Sequence, residues 1–377
     1  MSEFAPGQVF ADKFRIIRPL GAGGIGSVYE VEHLFTRHKR ALKVLHPELR
    51  HDPETVKRFL REAMAAGVIQ SEHIVQSLDA GMHGDIPWLL MEMLDGQSLG
   101  ACLRFTPRLR VPDAIHLCIE LTGILGKTHA VGVVHRDLKP ENVFVLDTTD
   151  TLFLKVLDFG LSRFSPSLGV SGLTAPGSRM GTPLYMAPEQ MMGKDSSSPA
   201  LDLFAVGVML YETLAGGVPY AGQTWNELML QKSNEAFAPL RQVRPEVPAE
   251  LERLTQRLLS VNPTWRPSAD ETRAELQSLL EKDRRTRWWL GEQSEVTETA
   301  GQALAAADTV TPPLRSPTSS PQGALLAKTD PPSISEDRPW LDRLKPFSKL
   351  SLVENVFWVA VFAAVLGLGV FMIWWIE

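Results

Sequence analysis

Apolar and polar positions alternate with a period of two through the first part of the chain, the spacing of strands whose two faces meet different surroundings. Between residues 10 and 45, Phe14-Arg15-Ile16-Ile17 leads into Gly21-Ala22-Gly23-Gly24-Ile25-Gly26, after which Val28, Glu30 and Glu32 alternate with Tyr29, Val31 and His33. This pattern predicts a hairpin flap with a glycine-rich turn. Arg40-Ala41-Leu42-Lys43-Val44-Leu45 reads as the next strand, with Lys43 on the opposite side from Leu42 and Val44. The period then changes. Asp52-Pro53-Glu54 begins a helix in which Val56, Phe59, Leu60, Ala63 and Gly67 recur at i, i+3, i+4 as one packed face. After Ser71-Glu72-His73-Ile74-Val75, two more strands lead to Trp88-Leu89-Leu90-Met91-Glu92-Met93-Leu94, and this apolar run ends at Asp95-Gly96, as suits a hinge between two lobes.

Farther along the chain the pattern is mainly helical. From Val111 to Val131 the residues Cys118, Leu121, Thr122 and Leu125 share a face. A strand over Leu152-Phe153-Leu154-Lys155-Val156-Leu157 interrupts the helices and delivers Asp158-Phe159-Gly160. Leu201 to Leu210 is apolar on nearly every side, so Asp202 within it must find partners inside the protein. Helical pattern fades after Leu279-Leu280-Glu281-Lys282, and Arg284-Arg285-Thr286-Arg287-Trp288-Trp289 closes the domain, packing on its surface or touching anionic lipid.

Residues 290–345 turn polar and small with repeated prolines, a composition that cannot supply a core and reads as a tether spanning on the order of 40 Å. Residues 356–376 carry no charge and would extend about 31 Å as a helix, enough for a single membrane span. Arg338, Arg343, Lys345 and Lys349 precede that stretch, which puts the body of the protein on the cytoplasmic side, and Trp358, Trp374 and Trp375 sit near its ends. Ala360 with Ala364, and Ala363 with Gly367, have the spacing that lets two such helices approach, so a homodimer is expected. Only Glu377 follows, which implies no external sensor domain.

Composition narrows the partners. The 377 residues carry a net charge of −6 with a pI of about 5.9, so no basic field argues for nucleic acid. Cys102 and Cys118 form neither a disulfide framework nor a metal-ligand spacing, as suits a reducing compartment. Met1-Ser2-Glu3-Phe4 opens with an acid and no apolar run, so no signal peptide is expected.

The candidate chemistry lies in His135-Arg136-Asp137-Leu138-Lys139-Pro140-Glu141-Asn142 and in Asp158: carboxylates, a lysine and an amide able to ligate a cation. A glycine pattern such as Gly21 to Gly26 also serves dinucleotide folds, but there the third glycine opens a helix, whereas here a strand period follows. These motifs together resemble the catalytic core of protein kinases. Gly24 to Tyr29 and the tether-plus-span layout look most like the bacterial Hanks-type (eukaryotic-like) serine/threonine kinases.

The resemblance implies an α+β fold of two lobes, with a small antiparallel β-sheet lobe carrying one helix over about residues 10–93 and a mainly helical lobe over about 94–282. Residues 1–9 would be an N-terminal arm, 283–349 a Pro/Ser/Thr-rich juxtamembrane linker and 356–376 the transmembrane helix. It further implies ATP as cofactor, bound by Leu20, Gly21, Gly23, Gly26, Val28, Ala41, Lys43, Glu62, Met91, Glu92, Met93 and Phe144. Of these, Lys43 contacts the α- and β-phosphates and is held by Glu62. Asn142 and Asp158 would ligate Mg²⁺, with Mn²⁺ as a substitute. Asp137 would accept the proton of the substrate hydroxyl, and Lys139 would neutralise charge near the γ-phosphate. Lys139 and Thr182 mark serine/threonine rather than tyrosine specificity in this family. The residues between Asp158 and Ala187-Pro188-Glu189 become the activation segment, with Ser171, Thr174 and Ser178 as candidate phosphosites whose phosphate could pair with Arg136. Asp202 is assigned to the backbone of the His135-Arg136 turn, and Arg266 to Glu189. The rival from another class is a membrane-tethered pseudokinase scaffold, against which Lys43, Asp137 and Asp158 all remain.

Overall fold

The computed structural model describes residues 3–57, 59–60, 69, 71–146, 152–159, 182–194 and 197–282. The first lobe is a six-stranded antiparallel sheet in the order β1-β2-β3-β4-β6-β5. Its strands are β1 (Val9–Phe10), β2 (Phe14–Ala22), β3 (Gly26–His33), β4 (Lys39–Leu45), β5 (Ser77–His83) and β6 (Ile86–Glu92). The period of two sorts its side chains into two cores. Phe14, Ile16, Tyr29, Val31, Leu42 and Val44 build the outer one, while Ala41, Leu45, Leu89 and Met91 pack inward with Phe59 from the helix that begins at Pro53. Lys43 falls between Ala41 and Leu45, hence on the inner face, and its register partners are Val28 and Leu89.

The residues before β1 are part of this lobe's packing. Phe4 meets Phe10 and Tyr29 edge-on with ring centroids 5.2 and 5.5 Å apart, so a segment that precedes any periodic pattern covers the outer core. A buried ring of this kind contributes about 1.5–3 kcal/mol.

A three-stranded sheet, β7 (Gly96–Ser98), β8 (Val143–Leu146) and β9 (Leu154–Val156), lies at the start of the second lobe. The strand expected over 152–157 is therefore shorter. Leu152 and Phe153 precede it, with the Phe153 ring stacked on His73 at 4.5 Å and its carbonyl accepting from Leu146 N. Helices supply the rest. Val111–Ala130 ends just before the catalytic turn, and Ala200–Ala215 runs through the middle of the lobe with nearly every residue buried. Gly207 lets the helix Ala249–Leu258 approach this central helix, since a Cβ there would stand 2.7 Å from Leu258 Cβ. Gly216, at φ 82°, closes the central helix in the left-handed conformation that glycine adopts without a Cβ penalty.

Among the described residues, no helix is long and apolar enough to cross a membrane. The stretch expected to do so, 356–376, lies outside them, as do the tether, Glu62, and the candidate phosphosites Ser171, Thr174 and Ser178.

Candidate active site

The site forms where the flap of the first lobe overhangs the β8–β9 hairpin of the second. In the flap, Gly23 N donates to Gly26 O at 2.8 Å, which closes the turn between β2 and β3. His46 braces it from β4's end, with Nε2 3.0 Å from Gly23 O and its backbone N donating to Ile25 O. Gly26 is required by packing, since a Cβ there would collide with the Val44 carbonyl oxygen, whereas nothing lies within 4 Å of the position a Cβ would take at Gly21. That open side is where backbone amides can approach a phosphate chain.

Below the flap, Lys43 is 5% exposed and donates from Nζ to Asp158 Oδ1 at 2.9 Å. A lysine buried in an apolar strand needs such a partner. Asp158 stands two residues past β9, and its φ of 58° turns the chain out of the strand direction just after Leu157 N has donated to Asn142 O. Because Val143 pairs with Val156 and Leu157 N donates to Asn142 O, Asn142 and Asp158 lie at the same end of the hairpin. At the hinge, Ala41 is in register with Met91. Glu92 turns its carboxylate away, accepting from Lys155 Nζ at 2.5 Å and from Gln76 N at 2.9 Å. Since Glu92 N already donates to Gln76 O, what it can offer a ligand is its carbonyl. Phe144 in β8 is half-buried.

The catalytic turn is held from beneath. His135 is buried, its Nε2 lies 2.8 Å from Leu157 O, and its Nδ1 accepts from Asp137 N. Arg136 sits at φ 71°, a left-handed conformation that costs a non-glycine residue roughly 1–2 kcal/mol. Asp202, 1% exposed, offsets that cost by accepting from His135 N at 2.9 Å and Arg136 N at 2.8 Å. The interior partners that an acid in an apolar helix demands are these two amides and His129, whose Nε2 lies 2.8 Å away. Asp137 then projects with Lys139 Nζ at 2.7 Å and Asn142 Nδ2 at 3.3 Å, both on Oδ2. Among the described residues Oδ1 has no partner, so one carboxylate oxygen is left to receive a hydroxyl.

Beyond the activation segment, Thr182–Leu184 forms a short 3-10 turn, followed by the helix Pro188–Met191. Arg266 pairs with Glu189 through two parallel bonds of 2.6 and 2.8 Å, and its guanidinium stacks 4.9 Å from the Phe204 ring centroid. Three contacts here carry no mark in the sequence pattern. Gln190 donates to Arg136 O at 2.7 Å, Tyr185 donates to Glu212 at 2.8 Å, and Lys232 donates to three carbonyls of the segment. Burial pushes the Tyr185 hydroxyl and the Glu212 carboxyl up from their usual ranges, and the hydrogen bond from Tyr185 moderates the shift at Glu212. Cys102 and Cys118 are buried thiols whose pKa values burial raises to about 11 and about 12, so neither is a nucleophile at neutral pH.

Asp158 and Asn142 fit a hard divalent cation that completes its shell with water and phosphate oxygens. Both offer oxygen, Asn142 turns its NH₂ toward the Asp137 carbonyl at 2.8 Å, and among the described residues no group of three His, Cys, Asp or Glu builds an all-protein cage.

A flap closed by glycine, a buried lysine–aspartate pair and a carboxylate flanked by lysine and asparagine define a site for moving a phosphoryl group. The chain belongs to the protein kinase family, whose description as Protein kinase domain matches residues 14–276. It is 38% identical over 251 residues to the serine/threonine-protein kinase Pkn1 of Myxococcus xanthus, covering 66% of this chain and 36% of that protein. It is 32% identical over 265 residues to PknA of Mycobacterium tuberculosis, covering 69% and 59%. The chain spans about a third of the length of Pkn1 and of pkn2, another Myxococcus xanthus kinase. Among solved structures, the PknI kinase domain of Mycobacterium tuberculosis matches with a TM-score of 0.56 and 26% identity, covering 74% of this chain and all of that one.

Proposed function

We propose that the chain is an ATP-dependent serine/threonine protein kinase acting on protein substrates near a membrane. The observation that carries this reading is the carboxylate of Asp137, engaged by Lys139 and Asn142 through Oδ2 alone. In transfer, Asp137 Oδ1 takes the proton of the acceptor hydroxyl while that oxygen forms its bond to the γ-phosphorus. The bond from that phosphorus to the bridging oxygen breaks, and ADP leaves with the electron pair. Lys139 neutralises charge on the transferred group, and Lys43 fixes the inner phosphates. Mg²⁺, with Mn²⁺ as a substitute, would be held by Asp158 and Asn142 and supplies charge neutralisation across the phosphates. The flap amides and the inner-face residues Val28 and Ala41 hold the nucleotide and exclude water.

The regulatory reading belongs to the same proposal. Residues 356–376 anchor the chain in a membrane with the kinase domain on the cytoplasmic side, and the small residues Ala360, Ala363, Ala364 and Gly367 pair two spans. Dimerisation promotes phosphorylation of Ser171, Thr174 or Ser178 in trans. Support comes from hydropathy and residue spacing. The deciding experiment is intact mass of the full-length chain in lipid nanodiscs with ATP and Mg²⁺, beside Asp137→Ala and Lys43→Met, followed by peptide mapping. Added phosphate on the native chain alone is expected. Nucleotide bound with no phosphate transferred, to itself or to any serine or threonine peptide, would leave the scaffold reading instead.

A further inference from the structure

Lys232 has no place in the chemistry above, yet its amine is fully buried. It lies on the helix Trp225–Ser233, which Thr224 caps by accepting from Glu227 N at 3.2 Å. Leu228 and Lys232 are four residues apart and are the buried positions of that helix, so the lysine occupies a place where a core residue would stand. Its ammonium donates to the carbonyls of Pro183, Leu184 and Met186 at 2.7, 3.0 and 2.6 Å. An ammonium has three protons and no acceptor capacity, and here every proton is used on backbone oxygen. The rings of Phe204 and Tyr220, 5.4 and 5.9 Å from Nζ, complete the surroundings.

An apolar side chain of similar length would bury as much surface without a charge to desolvate, so packing alone gives no reason for lysine. What lysine adds is a fixed set of carbonyl directions. The segment it fixes runs into the helix Pro188–Met191, where Gln190 is bonded to the carbonyl of Arg136, the residue next to Asp137. The carboxylate of Glu141, in the loop that carries Asp137, also raises the pKa of Tyr185, so the clamped segment lies close to the catalytic loop.

We propose that Lys232 is a positioning residue for the protein acceptor, clamping Pro183 to Met186 into the ledge that receives the residues beside the phosphorylated serine or threonine. The proposal rests on the kinase reading above. Burial lowers the ammonium's pKa to about 7, opposed by Glu189. The charged and titratable neighbours are few: Glu189 and Arg266 are committed to each other, and burial keeps the Tyr220 hydroxyl neutral. Loss of a proton near neutrality therefore takes the clamp from three donors to two.

The test compares the full-length chain, Lys232→Met and Lys232→Arg in nanodiscs, with ATP and a positional-scanning library of serine and threonine peptides. Lys232→Met is expected to raise the acceptor KM at least tenfold and to flatten the preference at positions flanking the acceptor, with KM for ATP within twofold. Lys232→Arg keeps most of the preference. An unchanged acceptor KM and preference in Lys232→Met, or an equal loss of ATP and acceptor binding, overturns the proposal. Should Lys232→Met not fold, the native chain decides. Its acceptor KM should rise severalfold between pH 6 and pH 8.5 with KM for ATP constant and with Lys232→Arg flat, and a flat native profile sinks the idea. A native chain that phosphorylates no peptide at all overturns the kinase reading itself.

Discussion

Replacing Asp202 by asparagine tests how the catalytic turn is held. The carboxylate spends Oδ2 on His135 N and His129, and Oδ1 on Arg136 N. Asparagine keeps one oxygen. If that oxygen stays on the His135 side, the new NH₂ group faces Arg136 N–H, donor against donor, at a position 1% exposed. The loss is one hydrogen bond to a charged group, about 1.5–3 kcal/mol, and a buried N–H left without a partner, about 1–3 kcal/mol. The two costs overlap, because the amide can relax toward water only by abandoning the turn, so a net loss of about 3 kcal/mol is expected. For a domain of this size that lowers Tm by about 6–12 °C.

The kinetic consequence is larger in proportion, since Arg136 relies on this acceptor to stay at φ 71° and Asp137 follows it directly. A displacement of about 1 Å can cost a hundredfold. Asp202→Asn should therefore lower kcat about tenfold to a hundredfold while KM for ATP changes by less than about threefold, because Lys43, the flap and the hinge are untouched. Thermal unfolding and steady-state peptide phosphorylation on the full-length chain measure both. A Tm within about 2 °C of the native chain together with an unchanged kcat would show that the turn holds itself, and the argument from buried donors would be wrong.

Arg266→Lys keeps the charge but loses the planar fork that meets both Glu189 oxygens and the stacking on Phe204. It should destabilise the chain by about 2–4 kcal/mol, read as a Tm drop, and a drop under about 1 °C refutes the account. Glu212→Gln should be stabilising above the ordinary carboxyl range. Burial raises the Glu212 pKa above 4.5, so the native state binds its proton more readily than the unfolded state and that stability is lost as pH rises through the folded value. The variant, which still accepts from Tyr185, should thus gain Tm over the native chain from pH 5 to pH 8, and a gap that narrows over that range contradicts it. Gly26→Ala should raise KM for ATP severalfold by displacing the flap from the Val44 carbonyl, whereas Gly21→Ala should leave Tm unchanged; equal effects at both positions would count against the assignment of Gly26 to packing.

The strands of the first lobe were legible because successive side chains there enter opposite cores: Leu42 and Val44 the outer one, Ala41 and Leu45 the inner one. Asp202 was legible for the opposite reason, as an acid in a helix with no polar face, although its third neighbour, His129, was not. Phe4 gave no signal, being a single aromatic ahead of any period. The strand over 152–157 is shorter than its apolar run because Phe153, although its carbonyl still accepts from Leu146 N, stacks its ring on His73, and pairing with β8 spans only Leu154 to Val156. Lys232 was invisible for a related reason. Gln231, Ser233 and Asn234 surround it with polar residues, so the stretch reads as a solvated face, and only a tertiary contact reveals that its partners are carbonyls of a segment forty-odd residues earlier.

Several buried polar groups around the catalytic turn share one arrangement. The central helix Ala200–Ala215 supplies Asp202 to two amides of the catalytic turn, the carbonyl of Ala200 to Arg266, the carboxyl of Glu212 to Tyr185, and the ring of Phe204 beneath both Arg266 and Lys232. Each of these groups reaches irregular backbone, or a residue next to it, that no ladder can satisfy. Hydrophobic contact could bury the same segments but has no direction, so it could not fix which way an amide or carbonyl points. The turn carrying Asp137 and the segment from Pro183 to Met186 must keep a set orientation relative to each other for a hydroxyl to meet a base. Both are fastened to the same rigid helix by groups that specify orientation as well as proximity. The desolvation cost of these buried groups is accordingly borne at the places where the site's two halves must agree.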